Sequence, residues 1–263
     1  VTNYNRGKEL LPDQQIKAVF FDLGETLLNF GKVDSHRLYK EAARLSYRFL
    51  GQLKQKTGGF RYYFLRNLFS IRVHYLLSNI TGRDFDSLAL LKKIGRKWQL
   101  QLNEQQWQQL AWLWYEPLSK ITTVELNIIE TLEKLKKAGL KLGIVSNTFV
   151  HGSSLDKHLR QLGLLDYFPV RIYSYNYDFR KPDRRIFQIA ADEAGEEPAK
   201  SMFVGDRLNY DIKGALKARM HPVLKSAYTN NGKKVPKGIL KINSLSELPE
   251  VIEKINAQTV ICK

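Results

Sequence analysis

Four short segments of the chain carry the polar residue types that bind and transfer charged groups. Asp22-Leu23-Gly24-Glu25-Thr26 follows an apolar run, and Ser146-Asn147-Thr148 follows another. Lys181-Pro182 stands before a helical stretch, and Gly205-Asp206 ends a third apolar run with Asp211 five residues on. Two carboxylates at neighbouring strand ends, with a lysine and a hydroxyl converging on them, make a site for a hard cation and a phosphate. Oxygen donors suit Mg²⁺, which keeps several waters and needs only one or two protein carboxylates. In such a site Lys181 holds a nucleophilic aspartate and the phosphoryl oxygens together, while the Ser146 hydroxyl and adjacent amides hydrogen-bond the phosphate.

Positioning these residues requires a sheet whose strands end at one edge. Lys17 to Asp22 (KAVFFD) reads as a buried strand, and Leu140 to Val145, Val170 to Tyr173, Ser201 to Val204 and a run near Val223 read likewise. Helical stripes lie between them: Ile128 to Leu135 closed by Gly139, Leu155 to Leu162, Arg184 to Ala194, and Asp211 to Ala218. Strands alternating with such helices predict an α/β protein with a parallel sheet covered on both faces. Gly238 to Ile242 adds a final strand. Ser244 to Ile255 adds a final helix, opened by a capping box of Ser244 and Glu247. Lys225 to Lys241 reads as a solvated loop, and residues 1–15 give no assignment.

One stretch breaks the alternation. Residues 31–120 recur at helical spacing (Leu38, Ala42, Leu45, Phe49; Leu68, Ile71, Tyr75) and hold all four tryptophans. They also carry 16 basic against 6 acidic residues, most of the chain's net charge of +16. The expected organisation is an α/β core from residues 1–30 and 121–263 with a helical insert over 31–120.

Composition bounds the rest. A chain of 263 residues with 43% hydrophobic and 26% charged residues is long enough to bury a core and is neither disordered nor low-complexity. No apolar run is long enough to span a bilayer and no secretory signal pattern opens the chain, so no membrane partner is expected. A single cysteine, Cys262, forms no internal disulfide or multi-thiolate site and fits a reducing, cytoplasmic setting. The histidines at 36, 74, 151, 158 and 221 have no metal-ligand spacing and read as structural.

Taken in order, FFDLGETL (20–27), IVSNT (144–148), RKPDRRIF (180–187) and MFVGDRLNYDIKGA (202–215) resemble the four motifs of the haloacid dehalogenase-like (HAD) hydrolase superfamily. The insert resembles that family's type 1 helical cap in position and character. The resemblance implies a Rossmann-like core and an aspartyl-phosphate mechanism with Asp22 as nucleophile. It implies Mg²⁺ held by Asp22, Asp206 and the Gly24 carbonyl, with Asp211 supporting the metal shell. It also places Ser146 and Asn147 at the phosphate and gives Lys181 the task of orienting and neutralising charge.

One departure matters. Family phosphatases carry a second Asp two residues after the nucleophile, as acid and base, and here that position is Gly24. Dehalogenating and phosphonate-cleaving members also lack it, but the dehalogenase branch works without metal, whereas Gly205-Asp206 points to one. Glu25 is a candidate substitute acid, with surface exposure as its plainer reading. The expected function is a Mg²⁺-dependent phosphatase acting on a small phosphorylated compound. The alternative is a weakly active or inactive HAD-fold protein whose basic, aromatic insert binds nucleic acid or another polyanion. For the tryptophans, packing inside the insert is favoured over base stacking.

Overall fold

The computed structural model describes residues 15–261. Cys262 and most of the unassigned amino-terminal stretch lie outside the described residues. Six strands form one parallel sheet: β1 (Ala18–Phe21), β2 (Lys141–Ser146), β3 (Val170–Tyr173), β4 (Ser201–Gly205), β5 (His221–Lys225) and β6 (Leu240–Ile242). Their order is β3-β2-β1-β4-β5-β6, so the chain reverses its direction of travel across the sheet between β1 and β4. Ligands of open α/β sheets bind outside the carboxyl ends of the strands at such a reversal. All residues of β1 and β4 are buried, which is why both read in sequence as unbroken apolar runs. This is the expected Rossmann-like α/β class.

Core helices α5 (Ile128–Lys137), α6 (Gly152–Gln161), α7 (Arg184–Glu193), α8 (Lys213–Ala218) and α9 (Leu248–Ile261) follow the strands. The capping box of Ser244 and Glu247 is present, although it opens a 3₁₀ turn that leads into α9. Helix α6 begins three residues earlier than its apolar stripe, capped by the His151 side chain. The expected helix from Asp211 proves to be a π turn over Leu208–Ile212 followed by α8. That wide turn matters below, because it carries Asp211.

Between β1 and β2 lie α1 (Ser35–Gln52), α2 (Phe60–Thr81), α3 (Ser87–Lys97) and α4 (Glu104–Ile121). Asp34, Asp86 and Asn103 cap α1, α3 and α4 through their side chains. These helices have an apolar core of their own, including Ala43, Leu50, Tyr63, Leu91 and Trp107. Gly95 is required there, since a Cβ would stand 2.3 Å from the Trp107 ring. Trp107 is buried in this core with Trp98 and Trp114 packed half-buried against it, and Trp112 is buried in the core shared with the sheet, so the tryptophans pack. The two chain segments that join the insert to the sheet pair with each other through Asn29 and Thr123, by backbone hydrogen bonds of 2.8 and 3.0 Å.

Candidate active site

The register of the sheet sets the geometry. Phe21 pairs with Ile144 on one side and Val204 on the other, so Asp22, Ser146 and Asp206 leave the sheet at the same edge. Lys181 reaches this edge from the loop before α7, where the Lys181-Pro182 peptide is cis. Its ammonium donates to Asp22 Oδ1 at 2.6 Å and to the Val145 carbonyl at 2.9 Å, and lies 2.8 Å from Asp211 Oδ1. Two of the lysine's N–H donors are thereby hydrogen-bonded inside the protein, and the lysine holds Asp211 as an ion pair. Its backbone is fixed by Asn147, whose Nδ2 donates to the Lys181 carbonyl (2.9 Å) while its Oδ1 accepts from the Lys181 amide (2.8 Å). The Asn147 side chain thus aims Lys181. Ser146 is buried at the carboxyl end of β2.

Asp211 is carried back to the sheet edge by the π turn, with Oδ2 accepting from the Arg207 amide at 2.8 Å. Gly205 is needed beside it, since a Cβ there would meet the Asp211 carboxylate at 2.5 Å. Asp206 Oδ2 accepts from the Thr229 hydroxyl and lies 3.3 Å from Arg207 Nε. Its backbone carbonyl accepts from Asn230 Nδ2 at 2.9 Å. Thr229 and Asn230 are buried members of the segment expected to be a solvated loop. The segment is rich in lysine, yet its turn at Asn230-Asn231-Gly232 brings Thr229 and Asn230 onto Asp206. Lys225, at its start, is buried too and pairs with Glu125 at 2.9 Å.

Electrostatics follow from this burial. Burial pushes the Asp22 carboxyl above the usual carboxylate range against the pull of Lys181, and Asp206 adds to the push. Asp211 is pushed up to about 6 by burial, again against Lys181, with Asp22 adding. Asp206 is raised by burial, partly offset by its bond from Thr229. For Lys181 burial works the other way, but the Asp211 and Asp22 carboxylates outweigh it and hold the ammonium protonated. Three buried carboxylates therefore face one buried ammonium, an excess of negative charge that low dielectric makes costly. Asp22, Asp206 and Asp211 each offer an oxygen within 4.8 Å of the others. A hard divalent cation fits this donor set and would relieve the imbalance.

Gly24 and Glu25 occupy a tight loop. Glu25 has φ of 58° and is buried, its Oε1 accepting from the Phe30 and Gly31 amides at 3.0 Å each. It is buried rather than exposed, and its Oε1 anchors the loop that leads into the insert. A Cβ on Gly24 would stand 3.3 Å from the Phe30 ring, so Phe30 covers the position where a second aspartate would sit.

Beyond Thr148, the loop after β2 continues into Phe149 and Val150. These residues line an apolar cavity of about 160 Å³ together with Val33, Leu38 and Leu90 of the insert. Asp22, Lys181, Asp206 and Asp211 do not line it. A second polar cluster lies at this seam. Asp84 of the insert pairs with Arg180 at 2.7 Å and accepts from the hydroxyls of Ser78 and Ser174, each at 2.5 Å. Ser174 Oγ in turn accepts from the Thr148 amide at 2.9 Å.

The chain is similar to known proteins in sequence and fold. Residues 16–219 match the model of the haloacid dehalogenase-like hydrolase family. The chain is 32% identical over 131 residues to the glyceraldehyde 3-phosphate phosphatase of Methanothermobacter thermautotrophicus, covering 48% of this chain and 57% of that protein. It is 29% identical over 208 residues to the enzyme of the same name from Methanopyrus kandleri, covering 78% and 82%. Among solved structures it resembles a 2-haloacid dehalogenase from Pseudomonas syringae with a TM-score of 0.59 and 25% identity, covering 91% of this chain and 99% of that one.

Proposed function

The chain belongs to the haloacid dehalogenase-like hydrolases, and from that membership we propose that it is a Mg²⁺-dependent phosphatase of small phosphorylated compounds, the helical insert over residues 31–120 acting as its cap. The observation that carries this reading is Lys181 locked between Asp22 and Asp211 at the sheet edge, with Asp206 beside them. The phosphatase relatives support the same choice of substrate class.

In the proposed reaction an Asp22 carboxylate oxygen attacks phosphorus in line with the leaving oxygen. Lys181 grips Oδ1, which fixes the carboxylate's rotation and presents the other oxygen. A bond forms between aspartate and phosphorus as the bond to the substrate oxygen breaks, the departing oxygen takes its proton from water, and a second water then hydrolyses the aspartyl-phosphate to inorganic phosphate and free Asp22. Transfer of this kind is largely dissociative, so placement of positive charge is the main protein contribution. Lys181, the Ser146 hydroxyl and the amides after β2 provide it. Asp22, Asp206 and the Gly24 carbonyl would hold Mg²⁺, with Asp211 in support, and the ion would supply positive charge to the phosphoryl oxygens. No side chain at Gly24 protonates the leaving group, so good leaving groups are favoured.

Hydrolysis of an aryl and an alkyl phosphate, each with and without Mg²⁺, tests this. Metal-dependent aryl turnover should fall roughly 10⁴-fold or more in Asp22→Asn. The alkyl ester should be slower by about 10² to 10⁴, the usual contribution of a positioned acid. Gly24→Asp should recover part of that gap, since the backbone accepts a side chain there if Phe30 yields a few tenths of an ångström. Folded protein that binds Mg²⁺ yet turns over neither ester would overturn the reading. Salt-sensitive retention of RNA or DNA would then support the polyanion-binding alternative.

A further inference from the structure

Helix α2 is apolar on more than one side. Tyr63, Phe64 and Leu68 face the core of the insert, yet Tyr62, Leu65, Phe69, Leu76 and Ile80 are exposed, Phe69 by 71% and Ile80 by 73%. With half-buried Val73 these residues follow spacings of 3, 4, 4, 3 and 4, or 18 residues in five turns. The mean period of 3.6 equals that of a straight helix, so the stripe runs parallel to the axis for about 27 Å. A heptad stripe, with period 3.5, would instead wind around the helix and suit a coiled-coil partner. A straight, convex apolar stripe suits a flat counterpart.

Charge narrows the choice. On a helical projection Arg61 and Arg72 flank one side of the stripe and Arg66 the other, and α2 contains no acidic residue. Arg61 and Arg72 are exposed, while Arg66 is half-buried over Trp98 and donates to the Tyr62 hydroxyl. A second copy of the chain packed on this stripe would set arginine against arginine. An anionic bilayer surface accepts both features, apolar side chains at the acyl boundary and arginines at the phosphates. The net charge of +10 over residues 31–120 adds long-range attraction. We propose that α2 docks the protein peripherally on membranes carrying anionic phospholipids. The sequence expectation of no membrane partner rested on the lack of a spanning segment. Among the described residues no helix is long and apolar enough to cross a bilayer, and docking requires none.

The test is co-sedimentation of the full chain with vesicles of phosphatidylcholine, with and without phosphatidylserine. Binding should require phosphatidylserine and weaken with salt. Phe69→Gln with Ile80→Gln should reduce partitioning at least about tenfold, and Arg61→Gln with Arg72→Gln about fivefold per arginine. All four positions are exposed, and far-ultraviolet circular dichroism with thermal unfolding confirms that the variants fold. Absence of binding to either vesicle would overturn the proposal. So would binding that ignores the apolar substitutions, which marks a generic polycation, or a concentration-dependent dimer that Phe69→Gln and Ile80→Gln dissolve.

Discussion

Arg180 and Lys181 are consecutive residues, each bound to a buried carboxylate, and their surroundings put them to different uses. Lys181 points into the sheet edge, where one ammonium faces Asp22 and Asp211 with Asp206 close by. Arg180 points to the insert, where Asp84 is satisfied by one guanidinium and two hydroxyls. The first cluster carries surplus negative charge and is completed by a cation and a phosphate. The second is balanced as it stands, and it ties the end of α2 to the loops before Lys181 and after β2. Buried charge marks chemistry where it is left unbalanced and marks architecture where it is neutralised. The neutral bond at the same seam, 2.9 Å between the Tyr115 hydroxyl of α4 and His158 Nδ1 of α6, belongs with the architectural group.

This contrast sets the size of three effects. Lys181→Met should act on both chemistry and stability. Aryl phosphate turnover should drop about 10³-fold, and chemical denaturation should show about 3–5 kcal/mol less stability, because Asp22 and Asp211 lose their counter-charge. A loss of turnover under tenfold would make Lys181 an architectural residue like its neighbour.

His158 gives the next effect, and it depends on pH. Burial lowers its pKa from 6.5 to about 4, so the folded state holds the ring neutral while the unfolded state binds a proton below pH 6.5. Stability from this residue is fully present above pH 6.5 and is lost as the pH falls toward 4, by about 3 kcal/mol. Denaturation midpoints measured from pH 7 to pH 4 should therefore decline more steeply for the native chain than for His158→Gln. Parallel profiles would show that the ring protonates without opening the seam.

The smallest effect is expected of Asp84→Asn. It removes the charge opposite Arg180 but keeps the shape and one acceptor, and should cost about 2 kcal/mol of stability. Aryl turnover should stay within about threefold, under 1 kcal/mol of barrier. A large fall in turnover with unchanged stability would instead place Asp84 in the chemistry.

The sheet and the four ionisable residues of the site are legible in the sequence alone. Central parallel strands are buried on both faces and so appear as short apolar runs, and at a reversal of strand order their polar endings must meet. Asp22 and Asp206 could be named on that ground, and Lys181 and Asp211 from their places in the ordered motif set. Glu25 could not be read in the same way, because its role depends on two amides of a loop that closes on it. Thr229 and Asn230 looked solvated for want of any local pattern that says a polar residue will find a buried acceptor 23 or 24 positions away. Arg180 and Asp84, 96 residues apart, are further from each other still. The same holds for α2: its spacing announced a helix, but an apolar face all round does not reveal which side neighbours will cover. Local periodicity records what a segment is able to bury. Which polar groups pair, and which apolar face stays in water, follows from long-range closure of the chain, because those choices belong to the partner as much as to the residue.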